Sequence, residues 1–206
     1  MHQKNYITAG KKIDEARKGL IMLHGRGASA EDILRLVPYL QVDDYAILAP
    51  QATNHTWYPY SFLVPREQNE PWLTSALEVV GELVTEFNNA GIPNDQIFFL
   101  GFSQGACLTL DYVARNARQW GGAVAFTGGL IGKTIDEKLY SGNFSGTPIF
   151  IGTSDPDVHV PVERVESSVK LLKSLNASVA LKIYPNMGHT ISEDEIENAN
   201  RLIFNS

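Results

Sequence analysis

The chain has a single cysteine, Cys107, so no internal disulfide can brace it. Positive charge is also scarce, with 17 Lys and Arg against 23 Asp and Glu, for a formal net charge of −6. Nucleic acid and anionic membrane surfaces call for a basic face, so neither is an expected partner. No apolar run approaches the ~20 residues of a membrane span. The opening MHQKNYITAGKK lacks the apolar centre of a signal peptide. With the lone cysteine, this leads to the expectation of a reducing, cytoplasmic setting. Ser/Gly-rich linkers, charge blocks and internal repeats are missing too, so 1–206 read as one domain. What remains is a chain of 206 residues, 44% hydrophobic and 19% charged. That composition suffices for a folded core without a metal or disulfide brace.

Short apolar runs recur along this chain: Lys18–His24, Tyr45–Ala49, Gln96–Gly101, Ala123–Phe126, Pro148–Gly152 and Ser178–Tyr184. They are too short for core helices and lack strict alternation, as expected of strands covered on both faces. A weaker strand near Tyr6–Ala9 is expected at the sheet edge. Between the runs lie stripes at helical period. Ala30–Leu40 carries Ile33, Leu34, Val37 and Leu40, and Pro71–Asn89 carries Leu73, Ala76, Val80, Leu83 and Phe87. Pro161–Leu175 repeats Val162, Val165, Val169 and Leu172, and Ser192 with Glu195 has capping-box spacing ahead of a final helix. Strands alternating with helices predict an α/β fold with a mostly parallel sheet, helices on both faces and the site at the carboxyl ends of the strands.

At the end of the Gln96–Gly101 run stands Gly101-Phe102-Ser103-Gln104-Gly105, a G-x-S-x-G pentapeptide between a strand and an apolar helical stripe. That pattern sets a serine on a sharp strand-to-helix turn, its hydroxyl raised above the sheet, with the helix N-terminus facing the reacting oxygen. Cys107, one helical turn beyond, reads as a buried apolar residue rather than a reactive thiol.

A serine hydroxyl needs a base, and the base an orienting acid, in the chain order Ser, acid, His. Only His159 and His189 follow Ser103. His189 lies past the Ser178–Tyr184 run and ahead of the last helix, where that order places the base, whereas His159 reads as a loop or capping residue. Two carboxylates compete for the acid. Counting forward from Gly152 favours Asp155, while counting back from Val160-Pro161 favours Asp157, and the helix start near Pro161 is the better anchor. Oxyanion donors are expected from the amide of Gln104 and, in the glycine turn Gly25-Arg26-Gly27, from the amide of Arg26. The same turn fits the dinucleotide-binding pattern only loosely and lacks a ribose-binding acid downstream, so no nucleotide cofactor is expected. His159, Asp155 and Asp157 lack metal-ligand spacing, so no metal is expected either.

Together, LHGRGAS, Ala49-Pro50, the Trp57-Tyr58 loop, GFSQGA, GTSDPDVHVP and Gly188-His189 resemble the phospholipase/carboxylesterase family of α/β-hydrolases, which includes acyl-protein thioesterase-like enzymes. The pieces fall in the family's order from about residue 18 to the C-terminus. The resemblance implies the α/β-hydrolase fold and ester hydrolysis without a cofactor, extending to thioesters and lysophospholipids. It also implies Ser103 as nucleophile, His189 as base, Asp157 as acid, and Arg26 and Gln104 as oxyanion donors. One departure bears on the acid: many members read G-x-x-D-x-x-V-P, and this chain has two extra residues before Val160-Pro161.

Five aromatics, Trp57, Tyr58, Tyr60, Phe62 and Trp72, fall within His55–Trp72, where the chain's 10% average predicts about two. Two readings stand side by side: an apolar wall for the substrate, with Trp57 and Tyr58 as binding residues, or a loop packing its own aromatics over the sheet edge. The Thr127–Gly132 stretch reads equally as a flap or a simple turn. No segment is long enough for a large cap, so the expected substrate is a small-molecule ester or thioester of a small or flexible acyl group. The alternative is a catalytically silent α/β-hydrolase acting as a small-molecule sensor, which a complete Ser, Asp and His set speaks against.

Overall fold

A computed structural model describes residues 1–205. Its strands are β1 Tyr6–Gly10, β2 Lys18–Leu23, β3 Tyr45–Pro50, β4 Ile97–Phe102, β5 Gly122–Phe126, β6 Pro148–Asp155 and β7 Ser178–Pro185. They form one sheet in the order β1-β3-β2-β4-β5-β6-β7. β1 runs antiparallel to β3 at one edge, and every other pairing is parallel. β3 and β5 are buried at every position and β2 at all but Lys18, which is why their sequences show apolar runs rather than alternation.

The helices are α1 Ala30–Leu34, α2 Trp72–Asn89, α3 Gln104–Arg115, α4 Val162–Ser174 and α5 Glu193–Ala199. The strands send alternate residues to two cores. Ile21, Leu23 and Phe99 pack with Leu83 of α2, Leu110 of α3 and Val165 of α4. On the other face Leu20, Met22 and Phe98 pack with Ile33 of α1, Ala199 of α5 and Phe204. The expected helix over Ala30–Leu40 is shorter: α1 ends at Leu34, and a 3₁₀ turn over Val37–Tyr39 follows, with Pro38 in its first turn. Proline has no N–H to continue an α-helical ladder. At the other end α5 passes into a π turn over Asn200–Phe204.

Strand order reverses between β2 and β4, which lie side by side with Leu23 opposite Gly101. The loops leaving their carboxyl ends therefore meet at a topological switch point, where α/β sheets bind ligands.

Candidate active site

Ser103 stands between β4 and α3 in the left-handed region, with φ 55° and ψ −116°. A serine held there is strained, and the surrounding structure must enforce it. Two glycines permit the turn. A Cβ at Gly101 would lie 2.3 Å from the Gly105 carbonyl oxygen, and one at Gly105 would lie 2.1 Å from that of Leu23. The Ser103 amide donates to Phe126 O at 2.9 Å, and the Ser103 carbonyl accepts from the Cys107 amide at 3.0 Å.

His189 lies in the loop between β7 and α5, and its Nε2 is 2.8 Å from Ser103 Oγ. Its Nδ1 is 2.8 Å from Asp157 Oδ2. An ionised carboxylate only accepts, so Nδ1–H donates to Asp157 and Nε2 presents its lone pair to the Ser103 hydroxyl. Asp157 Oδ1 accepts from the amides of His159 at 2.7 Å and Val160 at 2.9 Å. Burial works against the Asp157 charge, but the hydrogen bonds from His189 and these two amides outweigh it, and its pKa falls below the usual value. Asp155 ends β6 with an exposed side chain, and its carbonyl accepts from Asn186 N. Of the two competing carboxylates, Asp157 is the one that meets His189. The arrangement can draw a proton from the Ser103 hydroxyl and hold the resulting imidazolium.

Among the described residues, no backbone carbonyl accepts from the amides of Arg26 or Gln104. Their side chains point to another task. Arg26 Nη1 donates to Thr56 Oγ1 at 3.0 Å and Pro59 O at 2.8 Å, and Nη2 donates to Tyr60 O at 2.7 Å. Gln104 Oε1 accepts from Trp57 N at 2.9 Å, and its Nε2 donates to Tyr58 O at 2.8 Å. Both side chains grip the aromatic loop that follows β3.

A cleft of about 420 Å³ opens over Ser103, lined by Arg26, Pro59, Tyr60, Ser61, Phe62, Gln104, Cys107, His159, Val160 and His189. Trp57 and Tyr58 do not line it. They are fully buried, with the Trp57 indole donating to His24 O at 2.9 Å. The aromatics that reach the cleft are Tyr60 and Phe62. The enrichment of aromatics marked the segment, but nothing in the sequence distinguished its inward from its outward rings. His159, which reads from sequence as a loop or capping residue, has its ring 4.9 Å from that of His189. Its position two residues beyond Asp157 was the available signal. Cys107 lies beneath the cleft, and burial pushes its thiol up to about 12. The Thr127–Gly132 stretch is packed, with Arg164 donating to the carbonyls of Leu130 and Gly132. Among the described residues no cluster of His, Cys, Asp or Glu is placed to hold a metal, and no helix is long and apolar enough to cross a membrane.

This geometry sits in a chain with clear relatives. Probable carboxylesterase Os04g0669500 of Oryza sativa subsp. japonica is 30% identical over 200 residues, spanning 87% of this chain and 74% of that protein. Acyl-protein thioesterase 1 of Eremothecium gossypii is 26% identical over 211 residues, spanning 94% of this chain and 89% of that protein. The crystal structure of the phospholipase/carboxylesterase from Dyadobacter fermentans DSM 18053 is 54% identical and superposes with a TM-score of 0.97, covering 98% of this chain and 97% of that one. The sheet and helices are those of an α/β-hydrolase. The phospholipase/carboxylesterase family model matches residues 4–205, and the chain belongs to that family of ester hydrolases.

Proposed function

We propose that the chain hydrolyses carboxylic esters of small or flexible acyl groups through an acyl-enzyme on Ser103. Thioesters and lysophospholipids offer the same acyl carbon and are the related substrates to compare. The two consecutive 2.8 Å contacts from Ser103 to His189 and from His189 to Asp157 carry this reading.

Ser103 Oγ attacks the ester carbonyl carbon while its proton passes to His189 Nε2. The carbonyl electron pair moves onto oxygen, and the amides of Arg26 and Gln104 donate to that oxyanion. Asp157 stabilises the imidazolium. As the tetrahedral species collapses, the bond to the leaving alcohol breaks and His189 returns the proton to the alcohol oxygen. Water then attacks the acyl carbon, passing a proton to His189, and the carboxylic acid leaves as Ser103 regains its hydrogen.

The chain works as one domain without a large cap, so the cleft stays open to solvent. A net charge of −6 favours a soluble, cytoplasmic esterase or thioesterase over an enzyme docked tightly on anionic membranes. The test is turnover of short p-nitrophenyl esters, with fluorophosphonate labelling of the folded protein. Wild type is expected to be labelled at Ser103, and Ser103→Ala to lose on the order of 10⁶ in turnover. A Ser103→Ala protein with wild-type turnover would overturn the reading.

A further inference from the structure

His24 directly follows β2, yet among the described residues it makes no hydrogen bond to Ser103 or His189. Its side chain is fully buried. Nε2 accepts from the Ala52 amide at 3.1 Å, and Nδ1 lies 2.7 Å from the carbonyl oxygen of Gly25. An amide N–H can only donate, so the Ala52 contact places the lone pair on Nε2 and the proton on Nδ1. Nδ1–H therefore donates to Gly25 O at 2.7 Å, the shorter of that carbonyl's two bonds, the other coming from the Ala28 amide at 3.2 Å. Burial also lowers the pKa of the ring and keeps it neutral. The Trp57 ring packs against the imidazole with centroids 5.0 Å apart, and its indole donates to the His24 carbonyl.

The Gly25 carbonyl belongs to the same peptide group as the Arg26 N–H. That peptide is trans, so the two groups point in opposite directions. Holding the carbonyl against His24 turns the Arg26 N–H away from the ring. Gly25 packs directly against the nucleophile turn, since a Cβ there would lie 3.5 Å from Ser103 Cβ. We infer that His24 is a positioning residue for ester hydrolysis: its Nδ1–H fixes the Gly25–Arg26 peptide plane so that the Arg26 N–H faces the oxyanion. The inference rests on the esterase reading above, and it adds a residue that acts only through the backbone of another.

Three variants separate the two ring nitrogens. His24→Asn can keep a donor near the Nδ1 position, His24→Gln can keep an acceptor near Nε2, and His24→Phe keeps neither. Loss of an oxyanion donor costs about 10²–10³ in kcat, and a donor left mobile is expected to cost about 10–100-fold. His24→Gln and His24→Phe should lose that much kcat with KM nearly unchanged, while His24→Asn retains most of it. A trifluoromethyl ketone, which forms a hemiketal oxyanion on Ser103, should lose affinity in step with kcat/KM. Folded Gln and Phe variants with wild-type kcat and inhibitor affinity would overturn the proposal.

Wild type supplies a measurement that needs no variant. Nitrogen-15 spectra of the imidazoles at about pH 7 to 8 should show His24 as the neutral Nδ1–H tautomer. An Nε2–H tautomer would overturn the proposal, because that ring could not donate to Gly25. Failure of fluorophosphonate to label Ser103 in wild type would instead fault the esterase reading itself.

Discussion

The two walls of the cleft are held in opposite ways. The wall formed by residues 56–62 is gripped from a distance, by Arg26 and Gln104 and by Asn69, whose Oδ1 accepts from Tyr60 N and whose Nδ2 donates to Ser61 O. The wall formed by residues 157–160 is held by its own first residue, whose Oδ1 caps the turn while Oδ2 meets His189. The two side chains that grip the first wall from Arg26 and Gln104 belong to residues whose backbone amides are proposed to serve the oxyanion. A substitution can separate those tasks. On the second wall one carboxylate holds the turn with one oxygen and His189 with the other, so in the proposed mechanism architecture and chemistry share a single charge.

Asp157→Asn breaks the comparison most sharply. The amide can keep Oδ1 as the turn's acceptor, but the –NH₂ it sets toward His189 favours the wrong tautomer. The expected loss in kcat is on the order of 10⁴, with the fold retained, whereas Asp155→Asn stays close to wild type. Equal effects at the two positions would overturn the assignment of Asp157. The same carboxylate predicts a pH dependence of stability. Its pKa in the folded protein lies below the unfolded value, so it adds stability above about pH 4 and loses it as pH falls through the lowered pKa. The Tm difference between wild type and Asp157→Asn is therefore expected to narrow as the pH falls below about 4.

The contrast also explains which parts were legible in the sequence. Strand positions were readable because a parallel sheet buried on both faces leaves unbroken apolar runs, as in β2 and β3. Ser103 was readable because its turn needs glycine two residues to either side, and His189 because chain order left few histidines. Counting favours Asp157 only through the helix start near Pro161, since β6 extends through Asp155 and carries its pairing with β7 past the apolar run that marks it. The aromatic wall was the least legible. Which rings face inward depends on contacts from Arg26 and Gln104, 30 to 47 positions away in sequence, and no local period encodes them.

Trp57 and Tyr60 test that inward and outward division. Trp57 is fully buried and Tyr60 is 56% exposed at the cleft. Trp57→Ala is expected to cost ~3–5 kcal/mol, lowering Tm by roughly 6–20 °C, through the cavity it leaves. Tyr60→Ala should leave Tm within a few degrees and act on KM instead. If Trp57→Ala kept its Tm and raised KM while Tyr60→Ala did the reverse, the placement of the two rings would be wrong.

The smallest effect is expected at Arg26, where side chain and amide can be separated. Arg26→Met keeps the N–H proposed to face the oxyanion and removes all three guanidinium bonds to Thr56, Pro59 and Tyr60. These bonds are solvent-exposed, and each contributes about 1 kcal/mol or less, so the loop should loosen without unfolding. The wall then yields to longer acyl groups. KM for short esters is expected to rise by up to about tenfold, kcat to stay within about threefold, and the preference among acyl lengths to broaden. His24→Gln should give the opposite split, with kcat lost and KM kept, because it leaves the guanidinium ties and releases the peptide plane. Measured side by side on one ester series, the two variants divide Arg26 into a backbone that serves the transition state and a side chain that shapes the wall. An Arg26→Met enzyme that lost kcat as severely as His24→Gln would show that the guanidinium ties themselves hold the oxyanion amide in place.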